Sequence, residues 1–159
     1  MQLTKIISGG QTGADQGGLE AGKILGLQTS GTAPKGFKTE MGKDWRLGVN
    51  YGLVESSYIN YPPRTRQNVQ DSDGTVIFGN IDSPGSKLTL RLCKELNKPY
   101  CLLGTGNITI EVDKAKDDLL TWLGIWDIKV LNVAGNREST NPGIQNAVRD
   151  FLVNTLKKS

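Results

Sequence analysis

The residues best suited to chemistry form a glycine-rich turn, SGGQTGAD at residues 8–15, between an apolar segment and a helical pattern. A turn of this kind places backbone N–H groups at a helix start, where the helix dipole and unpaired donors attract anionic oxygens. It lacks the Gly-Lys-Ser/Thr ending of a kinase-type P-loop and the G-x-G-x-x-G spacing of a dinucleotide fingerprint. A plain strand-to-helix turn is the alternative to a phosphate-binding loop formed by Gly9, Gly10, Gln11, Thr12 and Gly13.

Two further loops have a similar composition and the same position after a predicted strand. Residues 79–87 follow the apolar segment 76–78, and residues 134–140 follow the segment 128–133. The carboxyl ends of parallel strands meet at one edge of an open sheet, where ligands bind. We therefore expect ligand contacts from Ser83, Gly85, Ser86, Lys87, Thr89, Gly135, Arg137, Glu138 and Ser139.

Arginine and lysine side chains near these loops could neutralise a bound anion. Arg64 and Arg137 each offer a planar, two-pronged charge that suits a phosphate. A salt bridge or a subunit contact is the alternative for Arg64. Lys35 lies in a Pro-Lys-Gly turn, which favours a ligand or interface role. Glu138 could pair with Arg137 or accept hydrogen bonds from the ring of a ligand.

The composition limits the chemistry. The chain has 159 residues, which fit one domain over residues 1–159, and it contains no histidine. That absence removes the commonest general base and metal ligand and excludes a Ser-His-Asp triad, so we predict no catalytic and no metal-binding residue. The net charge of +3 is dispersed, so no nucleic-acid partner is expected. With no membrane segment or signal peptide visible, the expected location is the cytoplasm.

Strand-like segments alternate with helical patterns, which predicts an α/β fold: a doubly wound parallel sheet with helices on both faces. Residues 32–63 lack this alternation and are predicted to be irregular. Because this segment is rich in aromatic residues, we expect it to pack over the sheet edge as a lid or as the contact of a homo-oligomer. An extra hairpin that covers the core is the alternative.

Five motifs together resemble one family. They are SGGQTGAD at 8–15, APKG at 33–36, RTxxNVxxSDGT at 64–75, SxGxxLT at 83–89 and NVAGxRESxxPG at 132–143. Their order and spacing are similar to those of the molybdenum cofactor carrier proteins, in the SLOG group of Rossmann-like nucleotide-binding domains. The same group contains the cytokinin-activating "lonely guy" enzymes.

The resemblance implies a Rossmann-like homo-oligomer that holds an anionic ligand, molybdenum cofactor or a related pterin, at the carboxyl edge of the sheet and passes it on unchanged. Two departures from the carrier pattern matter, and one motif of the related enzymes is missing. Gln16 and Asn136 stand where the family often has Arg and Pro, and the Pro-Gly-Gly-x-Gly-Thr-x-x-Glu motif of the cytokinin-activating enzymes is missing. A protein that sequesters a nucleotide-derived signal is therefore the alternative function, and a nucleotide hydrolase that uses Asp15 or Glu138 with a metal is less favoured.

Overall fold

The computed structural model describes residues 2–104 and 112–158. Its eight strands are β1 Lys5–Ile7, β2 Gln28–Ala33, β3 Lys38–Thr39, β4 Gly42–Lys43, β5 Leu53–Glu55, β6 Gly74–Phe78, β7 Tyr100–Leu103 and β8 Val130–Gly135. Its α-helices are α1 Ala14–Ile24, α2 Arg46–Tyr51, α3 Tyr61–Asp71, α4 Pro84–Glu95, α5 Val112–Ile125 and α6 Ile144–Leu156, and a short 3₁₀ turn covers Lys35–Phe37.

Six of the strands form one parallel sheet in the order β5-β2-β1-β8-β6-β7. Helices α1, α5 and α6 pack together against strand side chains such as Val76 and Phe78, and the Phe78 and Phe151 rings meet edge to face. Helices α3 and α4 form a second cluster around Val69, Leu92 and Cys93. The α/β, Rossmann-like prediction is confirmed.

The position of β8 determines where a ligand cleft can form. This strand is the last in the chain, yet it lies in the centre of the sheet between β1 and β6. If the strands are counted from β8, the order becomes 4-3-2-1-5-6, which is a Rossmann-like arrangement. Its direction of winding reverses between β8 and β6. The carboxyl ends of these two strands therefore flank the crevice in which doubly wound sheets bind ligands.

The prediction that residues 32–63 are irregular is wrong. The segment contains the β3–β4 hairpin, helix α2 and strand β5, which pairs in parallel with β2 and forms one edge of the main sheet. Strand β5 has three residues, of which only Leu53 is buried. The strand is therefore too short to show an alternation of apolar and polar residues in the sequence. The segment also carries exposed apolar side chains, namely Met41, Trp45, Val49, Val54, Tyr58 and Ile59.

The Asn68 side chain fixes helix α3 to the sheet. Its Oδ1 accepts the Thr32 N–H at 2.8 Å and its Nδ2 donates to the Thr32 carbonyl at 2.9 Å. Both residues are buried, so the amide replaces the backbone partner that a neighbouring strand would provide.

None of the helices in the described ranges is long and apolar enough to cross a membrane.

Asn68→Ala should lower the free energy of unfolding by about 2–4 kcal/mol, because it leaves a buried N–H and a buried carbonyl unpaired. The neighbouring Gln67 is exposed and bonds only Asp71 among the described residues, so Gln67→Ala should change stability by less than about 0.5 kcal/mol. Urea unfolding of both variants measures the difference. Equal stability of the two variants would contradict this role of Asn68.

Candidate functional site

A cleft of about 580 Å³ opens at the carboxyl ends of β6 and β8, within the size range of small-molecule sites. Half of the predicted ligand residues line it: Gln11, Arg64, Ser83, Gly85, Thr89, Gly135, Arg137 and Ser139. The three loops selected from the sequence therefore meet at one place. The sequence analysis missed Tyr61, Pro62, Thr65, Leu88 and Thr140, which also line the cleft.

The other predicted residues lie outside the cleft lining, and several have packing roles. Lys35 and Lys87 are exposed to solvent, and Ser86 is buried in the first turn of α4. Gly9 lies against Arg64, since a side chain at position 9 would occupy the space of the guanidinium. The remaining ones are Gly10, Thr12, Gly13 and Glu138.

Five backbone N–H groups of the first loop are not free to bind a ligand. From Gly10 to Ala14 each one already donates within the protein, so ligand binding by these backbone groups stays a prediction that would require them to exchange partners. The acceptors are Ser8 Oγ for Gly10 (3.3 Å), Asp15 Oδ2 for Gln11 (3.1 Å), Gln11 Oε1 for Thr12 (3.0 Å), Gln145 Oε1 for Gly13 (2.9 Å) and the Asn136 carbonyl for Ala14 (3.0 Å).

Asp15 places a negative charge at the start of α1, where the phosphate was expected. Its carboxylate is buried and lies 3.6 Å from Arg64 Nη1. Burial raises the pKa of Asp15 above its ordinary value, whereas Arg64, the Gln11 N–H and Arg137 act in the opposite direction. The Asp15 carboxylate therefore already accepts a hydrogen bond from the first loop, at the Gln11 N–H.

Three cations surround the ring of Tyr61 at the mouth of the cleft. Lys38 Nζ lies 5.1 Å from the ring centroid, Arg64 Cζ 5.3 Å and Arg137 Cζ 5.4 Å. These distances allow cation–π attraction, which holds like charges close together. Arg64 pairs with Asp15, and Arg137 acts electrostatically on Asp15 and Glu40, so three cations face two carboxylates and the cluster keeps a net positive charge.

Glu40, at the tip of the β3–β4 hairpin, joins the first loop to the third. Its carboxylate accepts hydrogen bonds from the Thr12 hydroxyl, the Ser139 hydroxyl and the Ser139 N–H, the last at 3.1 Å. Burial raises the pKa of Glu40, but the hydrogen bonds from Ser139 and Thr12 outweigh it and hold the pKa below its usual value. The hydroxyls of Thr12 and Ser139, which were predicted to contact a ligand, bind this carboxylate in the structure, and their contact with a ligand stays a prediction.

Glu138 and Asn136 have structural roles in the third loop. The Glu138 carboxylate accepts the N–H groups of Gly143 at 2.6 Å and Gln145 at 3.0 Å, so it caps helix α6 instead of pairing with Arg137. Asn136 Nδ2 donates to Ser83 Oγ at 2.9 Å, and its Oδ1 accepts the Asn80 N–H at 2.7 Å. Asn136, which stands where the family often has Pro, therefore connects the second loop to the third.

The sequence profile of the Circularly permutated YpsA SLOG family matches residues 6–156. The chain belongs to this family. The central position of β8, last in the chain and first in the Rossmann-like order, is consistent with a circularly permutated SLOG domain. A solved structure named "Putative molybdenum carrier protein", from Syntrophus aciditrophicus SB, is similar to this SLOG chain at 36% sequence identity and a TM-score of 0.86, over 95% of this chain and 93% of that chain. No curated protein matches.

The wild-type chain should lose its stability advantage over Glu40→Gln as the pH falls. Because its pKa is lowered on folding, Glu40 contributes stability that is present above the pKa of an unfolded glutamate and lost as the pH falls through the lower folded value. Urea unfolding of both proteins between about pH 7 and about pH 3 measures the difference. A difference that grows on acidification would contradict this assignment.

Proposed function

We propose that the cleft binds an anionic, phosphate-bearing small molecule, molybdenum cofactor or a related pterin, and releases it unchanged. The observation that carries the proposal is the group of Lys38, Arg64 and Arg137 around the Tyr61 ring, beside a cleft of about 580 Å³. Guanidinium groups match the geometry of phosphate oxygens, and the Tyr61 ring holds these cations close together. The name of the similar Syntrophus aciditrophicus protein adds support.

The acidic groups near the cleft favour carriage over hydrolysis. Asp15 is buried beside Arg64, Glu138 caps α6, and Glu40 is held by Thr12 and Ser139. A general base must be able to reach a water molecule and accept its proton, and each of these carboxylates is occupied by donors of the protein. The ligand is therefore expected to leave as it entered.

A protein that sequesters a nucleotide-derived signal is the second candidate. The same cations would bind a nucleotide phosphate, and Gln16 replaces a cation that the carrier family often has after Asp15. Mass spectrometry of small molecules released from protein purified without added ligand separates the two. A pterin supports the carrier, a nucleotide supports sequestration, and a cleaved nucleotide on incubation would overturn both in favour of a hydrolase.

Arg137→Ala should weaken binding of guanosine 5′-monophosphate, whose guanine shares a pyrimidinone ring with pterins, by about 2–4 kcal/mol, because it removes a charged donor from a bound anion. Arg137→Lys should restore only part of this loss, since a point charge cannot replace the fork of the guanidinium. Arg91 is exposed and pairs with Glu95, so Arg91→Ala is the matched control. Calorimetric titration measures all three, and normal binding by Arg137→Ala would leave the third loop without a binding role.

We also propose that the chain forms a homo-oligomer in the cytoplasm through the exposed apolar side chains of residues 41–59. Trp45 is 67% exposed at the start of α2, an unusual position for so large an apolar side chain. Trp45→Glu should shift the protein to the monomer while its unfolding free energy stays nearly constant. Size-exclusion chromatography with light scattering gives the mass, and a monomeric wild type would refute the proposal.

A further inference from the structure

The side chain of Gln11 is buried with one end satisfied and the other without a partner. Only 5% of the residue is exposed. Its Oε1 accepts the Glu40 N–H at 2.8 Å and the Thr12 N–H at 3.0 Å, whereas its Nε2 has no acceptor. Because two backbone donors fix the oxygen, the amide cannot rotate to exchange its ends. The free end is therefore a donor.

A second unpaired donor belongs to another residue of the cleft lining. Arg64 Nε is buried and has no acceptor, and both Arg64 and Gln11 line the cleft. Asp15 Oδ2 locates the two residues relative to each other, since it accepts the Gln11 N–H at 3.1 Å and lies 3.6 Å from Arg64 Nη1. An unmade buried hydrogen bond is costly, and folded proteins retain few of them outside functional sites.

We infer that Gln11 Nε2 and Arg64 Nε bind an anionic oxygen of the ligand's phosphate beside Asp15. The inference rests on the proposed function and deepens it, because it assigns binding to the side chain of Gln11 instead of the backbone N–H groups of the first loop. A fixed N–H donor requires a lone pair on its partner, and the Arg64 guanidinium adds a positive charge. The site therefore favours an anionic phosphate oxygen over an uncharged hydroxyl oxygen and over an amino group.

The side-chain amide of Gln11 reports on this contact in ¹H–¹⁵N spectra of the full chain. Its signal is identified by its loss in Gln11→Glu. Inorganic phosphate and guanosine 5′-monophosphate should move it downfield, whereas guanosine should not. The amide of Gln67, which donates to Asp71 on the surface at 2.9 Å, is the internal control and should not move.

The outcomes separate this inference from the proposed function. If guanosine 5′-monophosphate moves the Arg137 side-chain signal but not that of Gln11, the inference fails and the proposed function stands. An equal response of Gln11 to guanosine would assign the amide to a ring carbonyl and overturn the phosphate contact. If neither Gln11 nor Arg137 responds to any of these probes, both proposals fail.

Gln11→Glu tests the donor with little change of shape. It keeps an oxygen for the N–H groups of Thr12 and Glu40 and replaces the free donor with a second oxygen. Affinity for guanosine 5′-monophosphate should fall by about 100-fold or more while urea unfolding shows an intact fold. Thr140→Glu adds the same charge at an exposed position of the cleft lining. It should lower the affinity for guanosine 5′-monophosphate by less than about tenfold. Equal losses in the two variants would reduce the effect to charge alone and overturn the inference.

Discussion

The cleft depends on the buried ion pair between Asp15 and Arg64. A buried carboxylate needs a cation and hydrogen-bond donors to offset its loss of water, and here Arg64 and the Gln11 N–H offset part of that loss, since burial still leaves the pKa of Asp15 raised. The ion pair also constrains the residues around it. Gly9 has no side chain where the guanidinium lies, and the position of Arg64 brings the Tyr61 ring and its other cations to the mouth of the cleft.

Polar bridges between distant segments hold the three loops in one arrangement. Glu40 connects the first loop to the third, and Asn136 connects the third to the second. Glycines permit the close approach: Gly13 has φ +84° and Gly79 has φ +93°, and a side chain at either position would collide with Asn136. Donors fixed in this way lose little entropy when a ligand binds, which favours selective recognition by a small domain.

The sequence predicted the fold and the place of the cleft because both depend on local patterns. Alternating strands and helices imply a parallel sheet, and loops after its strands share one edge. The partners of individual donors depend on residues far apart in sequence. Gln145 occupies the N–H of Gly13, and Lys38 reaches Tyr61 from the hairpin. No spacing rule contains that information, so the sequence did not reveal that N–H groups of the first loop have partners within the protein or that the Glu138 carboxylate caps helix α6.

Internal anions also explain how such a site could combine binding with release. Asp15 already neutralises part of Arg64, and Glu40 already uses the hydroxyls of Thr12 and Ser139, so an incoming phosphate gains only the difference between its own contacts and those. Binding free energy is reduced by each contact that must first be broken. A dianionic phosphate has more charge and more acceptor oxygens than a carboxylate, so it competes better for these donors. Under the proposed function, the same competition limits the affinity for the ligand, which favours its release unchanged.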